Sequence, residues 1–309
     1  MDDVVVIGAG QAGLSSAYFL RRFGLAPVVL DAAAGPGGAW RHRSPSLTMD
    51  KVHGIFDLPG VRRPPHGDGG LPASVVVPGY YGGYERETGL TVLRPVKVGS
   101  VTRDAAGLLV VSASGREWTA RAVVNATGTW TRPYWPYYPG AASFTGRQLH
   151  YASYRGPAEF TGRRVVVVGG GNSAAHVLSE IAGVAAATLW VTRRPPVFRD
   201  DDFGEEARRE AVAMVEERVR AGLAPRSVVS VTGLGIVWAT GFRSALDHLA
   251  PLRLRAPGGG IPVDGTQVVA EPRLQVVGYG PSASTIGANR AGRAAAQAVR
   301  RLLGERAVA

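Results

Sequence analysis

Twice in this chain a short run of β-branched residues ends in a cluster of glycines and resumes as a helix-forming stretch. Residues 3–7 (DVVVI) lead into Gly8-Ala9-Gly10-Gln11-Ala12-Gly13, and residues 164–168 (RVVVV) lead into Gly169-Gly170-Gly171-Asn172-Ser173-Ala174. Continuous apolar runs of this kind belong to strands buried on both faces, as in parallel sheets. The first cluster precedes a helical stretch over 12–23 and a second strand over 27–30 that ends in Asp31. The second precedes a helical stretch over 173–181 and a strand over 187–192. Each is a βαβ unit of ordinary length. The pattern predicts an α/β fold with two Rossmann-like, three-layer dinucleotide-binding units, and it excludes helix bundles and β-sandwiches.

Each glycine has its own duty. A tight turn is needed at Gly8, close approach of a pyrophosphate at Gly10, and close packing of helix on strand at Gly13. The helix amino terminus adds unpaired N–H groups and partial positive charge suited to phosphates. Asp31 stands where a carboxylate accepts hydrogen bonds from a ribose diol. The equivalent place after 187–192 carries Arg193 and Arg194, and guanidinium groups there suit a ribose 2′-phosphate. In so arginine-rich a chain, two solvated surface arginines are the competing reading. The contrast assigns FAD to the first loop and NADPH to the second. Residues 37–40 (GGAW) would lay two glycines along the pyrophosphate and set Trp40 against the cofactor, a core tryptophan after a turn being the alternative.

The remaining chain reads less regularly. Residues 33–90, rich in Gly, Pro and aromatics, read as loops. Strand-like segments recur at 91–98, 108–112 and 121–125. A helix is expected over 205–221, because Ala207, Ala211, Val212, Val215 and Val219 share one face. A strand at 274–277 and a small-residue helix at 284–303 follow. The expected organisation is a FAD-binding domain in two parts, 1–158 and 236–309, split by an NADPH-binding domain at 159–235.

Composition removes several function classes. The chain has no cysteine, so disulfides, thiolate metal sites and dithiol redox chemistry are excluded. No metal-ligand spacing is evident, no nucleophile–histidine–acid set stands out, and His176 reads as structural. No apolar run approaches the ~18 residues of a membrane span, and no basic leader precedes the first strand, so a cytoplasmic protein is expected. The formal charge is +11, yet the lysines are only Lys51 and Lys97 and the arginines are scattered. That distribution suits a general attraction for anionic ligands better than a nucleic-acid arm.

Residues 144–154 (FTGRQLHYASY) set Phe144, Gly146, His150 and Tyr154 on the ladder F-x-G-x-x-x-H-x-x-x-Y. With both glycine loops, GGAW and residues 237–243 (VWATGFR), this resembles the flavin-containing monooxygenases and the related N-hydroxylases. Residues 125–133 (NATGTWTRP) and 276–295 (VVGYGPSASTIGANRAGRAA) are similar to that family's ATG hinge and its flavin-contacting last helix. The resemblance implies FAD held by Gly8, Gly10, Gln11, Ala12, Gly13, Asp31, Gly38, Ala39, Trp40, Val98, Thr127, Gly128, Gly278, Ser284, Thr285 and Ile286. It implies NADPH held by Gly169, Gly171, Asn172, Ser173, Ala174, Arg193, Arg194, Ala239, Thr240 and Gly241.

The same resemblance implies that NADPH reduces the flavin and O₂ adds at its C4a carbon. The resulting hydroperoxide then passes one oxygen to a small-molecule amine or sulfide. Flavin chemistry needs no general base, so the ladder and His150 are expected to brace the junction between the two units. Family members often carry Asn or Thr near the flavin N5, where this chain offers Asp50 or Lys51. Further strands are also expected between 221 and 237. The alternative is an NAD(P)H-dependent flavin reductase or oxidase that acts on a small organic acceptor without inserting oxygen. Oligomeric state is left open, with a homodimer among the options.

Overall fold

The computed structural model describes residues 2–52, 55–65, 69–193, 216–217, 219–223 and 237–305. The first glycine unit forms as expected. Strand β1 (Asp2–Ile7) leads into α1 (Gln11–Arg22) and β2 (Pro27–Leu30), and β1 pairs in parallel with β2. On its other side β1 pairs in parallel with β6 (Arg116–Asn125), which lies next to β13 (Glu271–Val276). The full sheet runs β11 (Val263–Asp264), β12 (Gln267–Val268), β13, β6, β1, β2 and β3 (Val92–Leu93). Two further strands, β4 (Ser100–Arg103) and β5 (Leu109–Ala113), continue antiparallel from β6.

Val4, Val5 and Val6 are fully buried because both faces of this sheet are covered. Burying each such side chain contributes about 1.5–3 kcal/mol. On one face α1 packs against α4 (Thr285–Glu305), whose Ala288, Ala291, Ala295 and Ala296 are buried. The small residues set the spacing: a Cβ at Gly292 would stand 2.7 Å from Ser15 Oγ and 2.8 Å from the Ser16 nitrogen. The opposite face is closed by Val101, Leu109 and Val111 of the antiparallel flap together with Leu249.

The loop expectation for residues 33–90 is overturned by α2 (Ala73–Thr88). Val77, Tyr80, Tyr81 and Tyr84 are buried on one side of it, at the spacing of a helical stripe. Pro78, Gly79, Gly82 and Gly83 lower intrinsic propensity and hide that period, but burial of three tyrosines overrides them. The hydroxyls of Tyr80 and Tyr84 donate to the carbonyls of Val61 (2.8 Å) and Pro59 (2.9 Å), which fastens the preceding loop to the helix. The strand expected at 91–98 is reduced to Val92–Leu93, while β6 begins at Arg116, well before the expected 121.

A second, four-stranded parallel sheet runs β7 (Leu149–His150), β10 (Val237–Trp238), β8 (Arg164–Val168) and β9 (Ala187–Val191). Helix α3 (Asn172–Ile181) follows β8, so the second unit is also built as strand, glycines, helix, strand. Most of the helix expected at 205–221, and the strands expected after it, lie outside the described residues. Among the described residues no helix is long and apolar enough to cross a membrane.

Candidate functional site

The two glycine loops are built alike down to single hydrogen bonds. Gly8 donates to the Leu30 carbonyl at 2.7 Å, and Gly169 donates to the Val191 carbonyl at 3.1 Å. Both take positive φ (103° and 143°). A Cβ at Gly8 would stand 2.6 Å from the Ala126 oxygen, and one at Gly169 would overlap the Ala239 oxygen. Each first glycine therefore lies on the carbonyl of an Ala-Thr-Gly turn, Ala126–Gly128 in one unit and Ala239–Gly241 in the other. Ala126 in turn donates to the Ile7 carbonyl (2.8 Å) and Ala239 to that of Val168 (2.9 Å).

The middle glycines answer whether phosphates fit. Gly10 and Gly171 are the N-caps of α1 and α3, and nothing lies within 4 Å of where a Cβ on either would project. Neither helix has a side-chain cap or an acidic residue in its first turn. Each loop is thus a cradle that a side chain would fill, with amide donors facing it, and a dinucleotide pyrophosphate fits both. Gly38 closes over the first cradle, since its Cβ would stand 2.8 Å from Gly10 Cα. A Cβ at Gly278 would stand 3.8 Å from Ala12 Cβ and 3.9 Å from Gly128 Cα, which brings four parts of the expected FAD set together.

Other expected residues have partners of their own. Asp31 is buried, and its Oδ2 accepts from Arg94 Nε at 3.0 Å while Arg94 also holds Glu85. The Gln11 amide donates to the carbonyls of Phe56 and Thr285 and to Asn289 Oδ1, so the side chain ties α1 to α4 and only its backbone faces the cradle. Ser284 Oγ accepts from the Gly287 nitrogen at 3.0 Å and caps α4, whose first turn includes Thr285 and Ile286. Trp40 is half-buried, Ala39 is exposed, and Val98 packs on the opposite side of the sheet. Thr127 Oγ1 donates to the Ala245 carbonyl at 2.7 Å.

In the second unit Ala174 is fully buried, Asn172 and Arg193 are exposed, and Thr240 Oγ1 donates to the Tyr134 carbonyl. Arg194 lies outside the described residues. Asp50 is exposed, and Lys51 Nζ reaches Glu180 Oε1 at 3.2 Å.

The two Ala-Thr-Gly turns are laced to each other. Tyr134 donates to the Gly241 carbonyl (3.0 Å), Arg243 to that of Arg132 (2.8 Å) and Ala245 to that of Gly128 (2.9 Å). Trp130 stacks on Phe242 with centroids 4.9 Å apart, and His42 stacks on Trp130 at 6.4 Å. A histidine supports each turn, His150 buried and His248 half-buried. His248 Nε2 lies 2.7 Å from Asn125 Oδ1, and burial outweighs nearby Asp247 to push its pKa down to about 4. His150 Nδ1 accepts from the Ala152 nitrogen, so Nε2 carries the proton and donates to the Gly241 carbonyl at 3.1 Å. Burial holds His150 below the ordinary histidine value despite that bond.

The rest of the ladder has equally specific duties. Gly146 leaves room for the Phe144 ring, which would overlap a Cβ there. Tyr154 is fully buried, and its hydroxyl donates to Glu180 Oε2 at 2.8 Å. The same oxygen accepts from Ser46 Oγ at 2.7 Å, and His176 Nε2 lies 3.3 Å from Oε1. Burial would raise the Glu180 pKa, but Ser46, Tyr154, His176 and Lys51 together hold it below the usual carboxylate range. Arg43, Glu180, His248 and the Trp130–Phe242 stack were not singled out by sequence reasoning. Arg43 follows the 37–40 motif by three residues, and Trp130 and Phe242 lie inside the 125–133 and 237–243 motifs, which was their one available signal.

A family model described as pyridine nucleotide-disulphide oxidoreductase matches residues 5–233. Among solved structures, a flavin-containing monooxygenase from Stenotrophomonas maltophilia is 40% identical over 99% of each chain, with a TM-score of 0.81. Among curated proteins, the uncharacterized oxidoreductase CzcO of Bacillus velezensis is 25% identical over 80% of this chain and 83% of its own. Ferredoxin–NADP reductase of Thermus thermophilus is 28% identical over 89% of this chain and 84% of its own. For three other curated relatives the match spans 58%, 52% and 47% of their length.

Proposed function

The chain belongs to the flavin-containing monooxygenases, within the pyridine nucleotide-disulphide oxidoreductase family, and from that premise we propose that it oxygenates the nitrogen or sulfur of a small amine or sulfide. It is a FAD-dependent oxidoreductase that uses a pyridine nucleotide, and NADPH is the proposed donor. The overall change is NADPH + H⁺ + O₂ + substrate → NADP⁺ + H₂O + oxygenated substrate. Bound FAD supplies the two-electron relay and the activation of oxygen.

One observation carries the reading: two open cradles of the same construction, laced together through their Ala-Thr-Gly turns. In this proposal the backbone at Gly10 and the amino terminus of α1 hold the FAD pyrophosphate, with Gly38 closed over it. Gly171, Asn172 and Ser173 hold that of NADPH. The Trp130–Phe242 stack keeps water from the space between the loops. The division into a FAD-holding part (1–158 and 236–309) and a nucleotide-holding part (159–235) remains a proposal; a separate second sheet supports two units, but it takes β7 (Leu149–His150) and β10 (Val237–Trp238) from outside 159–235. Asp50 and Lys51 remain proposed flavin-side residues, with Lys51 held on Glu180. No thiol exists on this chain, so disulfide reduction by a cysteine pair of its own is excluded.

The test is NADPH oxidation in ¹⁸O₂ with aryl sulfides and tertiary amines, followed by mass spectrometry. One labelled oxygen per NADPH in a sulfoxide or N-oxide supports the proposal. Hydrogen peroxide as the only product across the panel defeats it. That second outcome would favour the runner-up, a flavin reductase or oxidase working on a small organic acceptor, for which the ferredoxin–NADP reductase likeness is the specific support.

A further inference from the structure

Arg43 is a half-buried residue whose guanidinium has no counter-ion among the described residues. It follows the 37–40 loop, and its guanidinium carbon lies 4.4 Å from the Trp130 ring centroid and 5.5 Å from that of Trp40. The guanidinium is deeply buried, and Nε is shut away from water with no hydrogen-bond partner, although part of the residue stays accessible. Among the described residues no carboxylate forms an ion pair with it; the nearby carboxylate, Glu180, is taken by Lys51, Ser46 and Tyr154. Two indole faces offset part of the cost of burying such a charge and Tyr151 meets one of its donors, but Nε stays unsatisfied.

What lies beside Arg43 identifies the missing anion. Its polar neighbour is the Tyr151 hydroxyl, which also interacts with Ser173. Ser173 is the second residue of α3, directly after the open cradle at Gly171. A guanidinium whose Nε lacks a partner and an uncapped helix amino terminus therefore converge on the Tyr151–Ser173 pair. One phosphate group satisfies both. A 2′-phosphate would sit at the far end of the nucleotide, by Arg193 after β9, so it is the pyrophosphate that comes near α3.

We propose that Arg43, carried by the flavin-side loop, binds a pyrophosphate oxygen of the pyridine nucleotide seated on α3. The inference rests on the assignment of Gly169–Ala174 to that nucleotide. It adds a contact across the junction: the residue that grips the nucleotide is stacked on Trp40 of the FAD loop. Pinning between Trp130 and Trp40 sets the guanidinium before the nucleotide arrives, so little side-chain freedom is lost on binding.

The experiment compares wild type with R43Q and R43K as flavin-loaded proteins. NADP⁺ and 2′-AMP are titrated by calorimetry, and flavin reduction is followed anaerobically with 1-benzyl-1,4-dihydronicotinamide, a hydride donor without phosphates. The expected result for R43Q is NADP⁺ binding weakened about tenfold or more, the scale of one lost charge-assisted bond. Binding of 2′-AMP, which lacks the pyrophosphate, and reduction by the phosphate-free donor should stay at wild-type values. Unchanged NADP⁺ affinity overturns the proposal, as does an equal loss for NADP⁺ and 2′-AMP, which marks general loosening. If R43Q loses its flavin, R43K keeps a cation in the slot and the same two comparisons decide. Failure of the wild type itself to bind NADP⁺ would strike the functional reading above, whatever Arg43 does.

Discussion

The two glycine units share a construction plan and differ at the third glycine position and after the second strand. In both, a positive-φ glycine rests on an Ala-Thr-Gly carbonyl and an open glycine caps the helix. They part at the third position. A Cβ at Gly13 would overlap the Gly8 carbonyl, whereas Ala174 already carries one and is fully buried. They part again after the second strand. Asp31 is enclosed with Arg94 and Glu85, while Arg193 stands in solvent. The acid after β2 is thus enclosed in an ion-pair network, whereas the arginine after β9 is exposed.

The largest test of that contrast is Gly13→Val against Ala174→Gly. No neighbouring backbone can yield at Gly13, so the first change should cost on the scale of the whole folding margin, about 5–15 kcal/mol, and give no folded yellow protein. The second should cost about 1 kcal/mol in urea unfolding. Equal losses would break the comparison.

Next come the two histidines that buttress the turns. His248 falls from 6.5 to about 4 on folding, so the folded state resists protonation. Stability is unaffected by this group above pH 6.5 and declines as the pH falls from there to about 4, by on the order of 3 kcal/mol. His248→Gln should remove that part of the acid sensitivity, read from unfolding curves at pH 7, 5.5 and 4. His150 is lowered in the same direction, so His150→Gln should flatten the same limb. A steeper acid limb in either variant would contradict the neutral-buttress reading.

A smaller effect separates the ligands themselves. Gly10→Val and Gly171→Val place a side chain in open space at caps with extended backbone, so both proteins should fold. The first should be isolated without flavin. The second should be yellow but bind NADP⁺ roughly a hundredfold more weakly, as expected for two lost bonds to a charged group. The same defect in both would erase the assignment of different cofactors. Last, Arg193→Gln should raise KM about tenfold for NADPH and leave NADH unchanged, the scale of one phosphate contact. An unaltered ratio between the nucleotides removes Arg193 from that role.

Much of this frame was legible in the sequence because each loop concentrates its constraint in a few consecutive residues. β1, α1, β2, β8, α3 and β9 follow from apolar runs bracketed by glycine, and the paired ATG segments mark where the strands on either side end. α2 was missed for a local reason. Its buried stripe of Val77, Tyr80, Tyr81 and Tyr84 is interrupted by Pro78 and three glycines, and only the tertiary setting decides in its favour. The ladder was recognisable as a spacing, but its duties depend on partners far along the chain: Gly241 for His150 and Glu180 for Tyr154. Arg43 was invisible because a charged residue in a polar loop reads as solvated until the two tryptophans around it are in place.

Glu180 carries a consequence for how the molecule works. Three separate stretches of chain converge on this one carboxylate: Ser46 and Lys51 beside the FAD loop and Tyr154 from the ladder donate to it, and His176 of its own helix lies 3.3 Å away. An attachment made of charge and hydroxyls, unlike one made of interlocked apolar side chains, can let go and re-form without exposing a core. Dissolved ions compete with its lysine strand, whereas they leave the buried valines of β1 indifferent. Part of the attachment between the FAD-loop side and the ladder is therefore weakened by added salt, while the valine core of β1 is not.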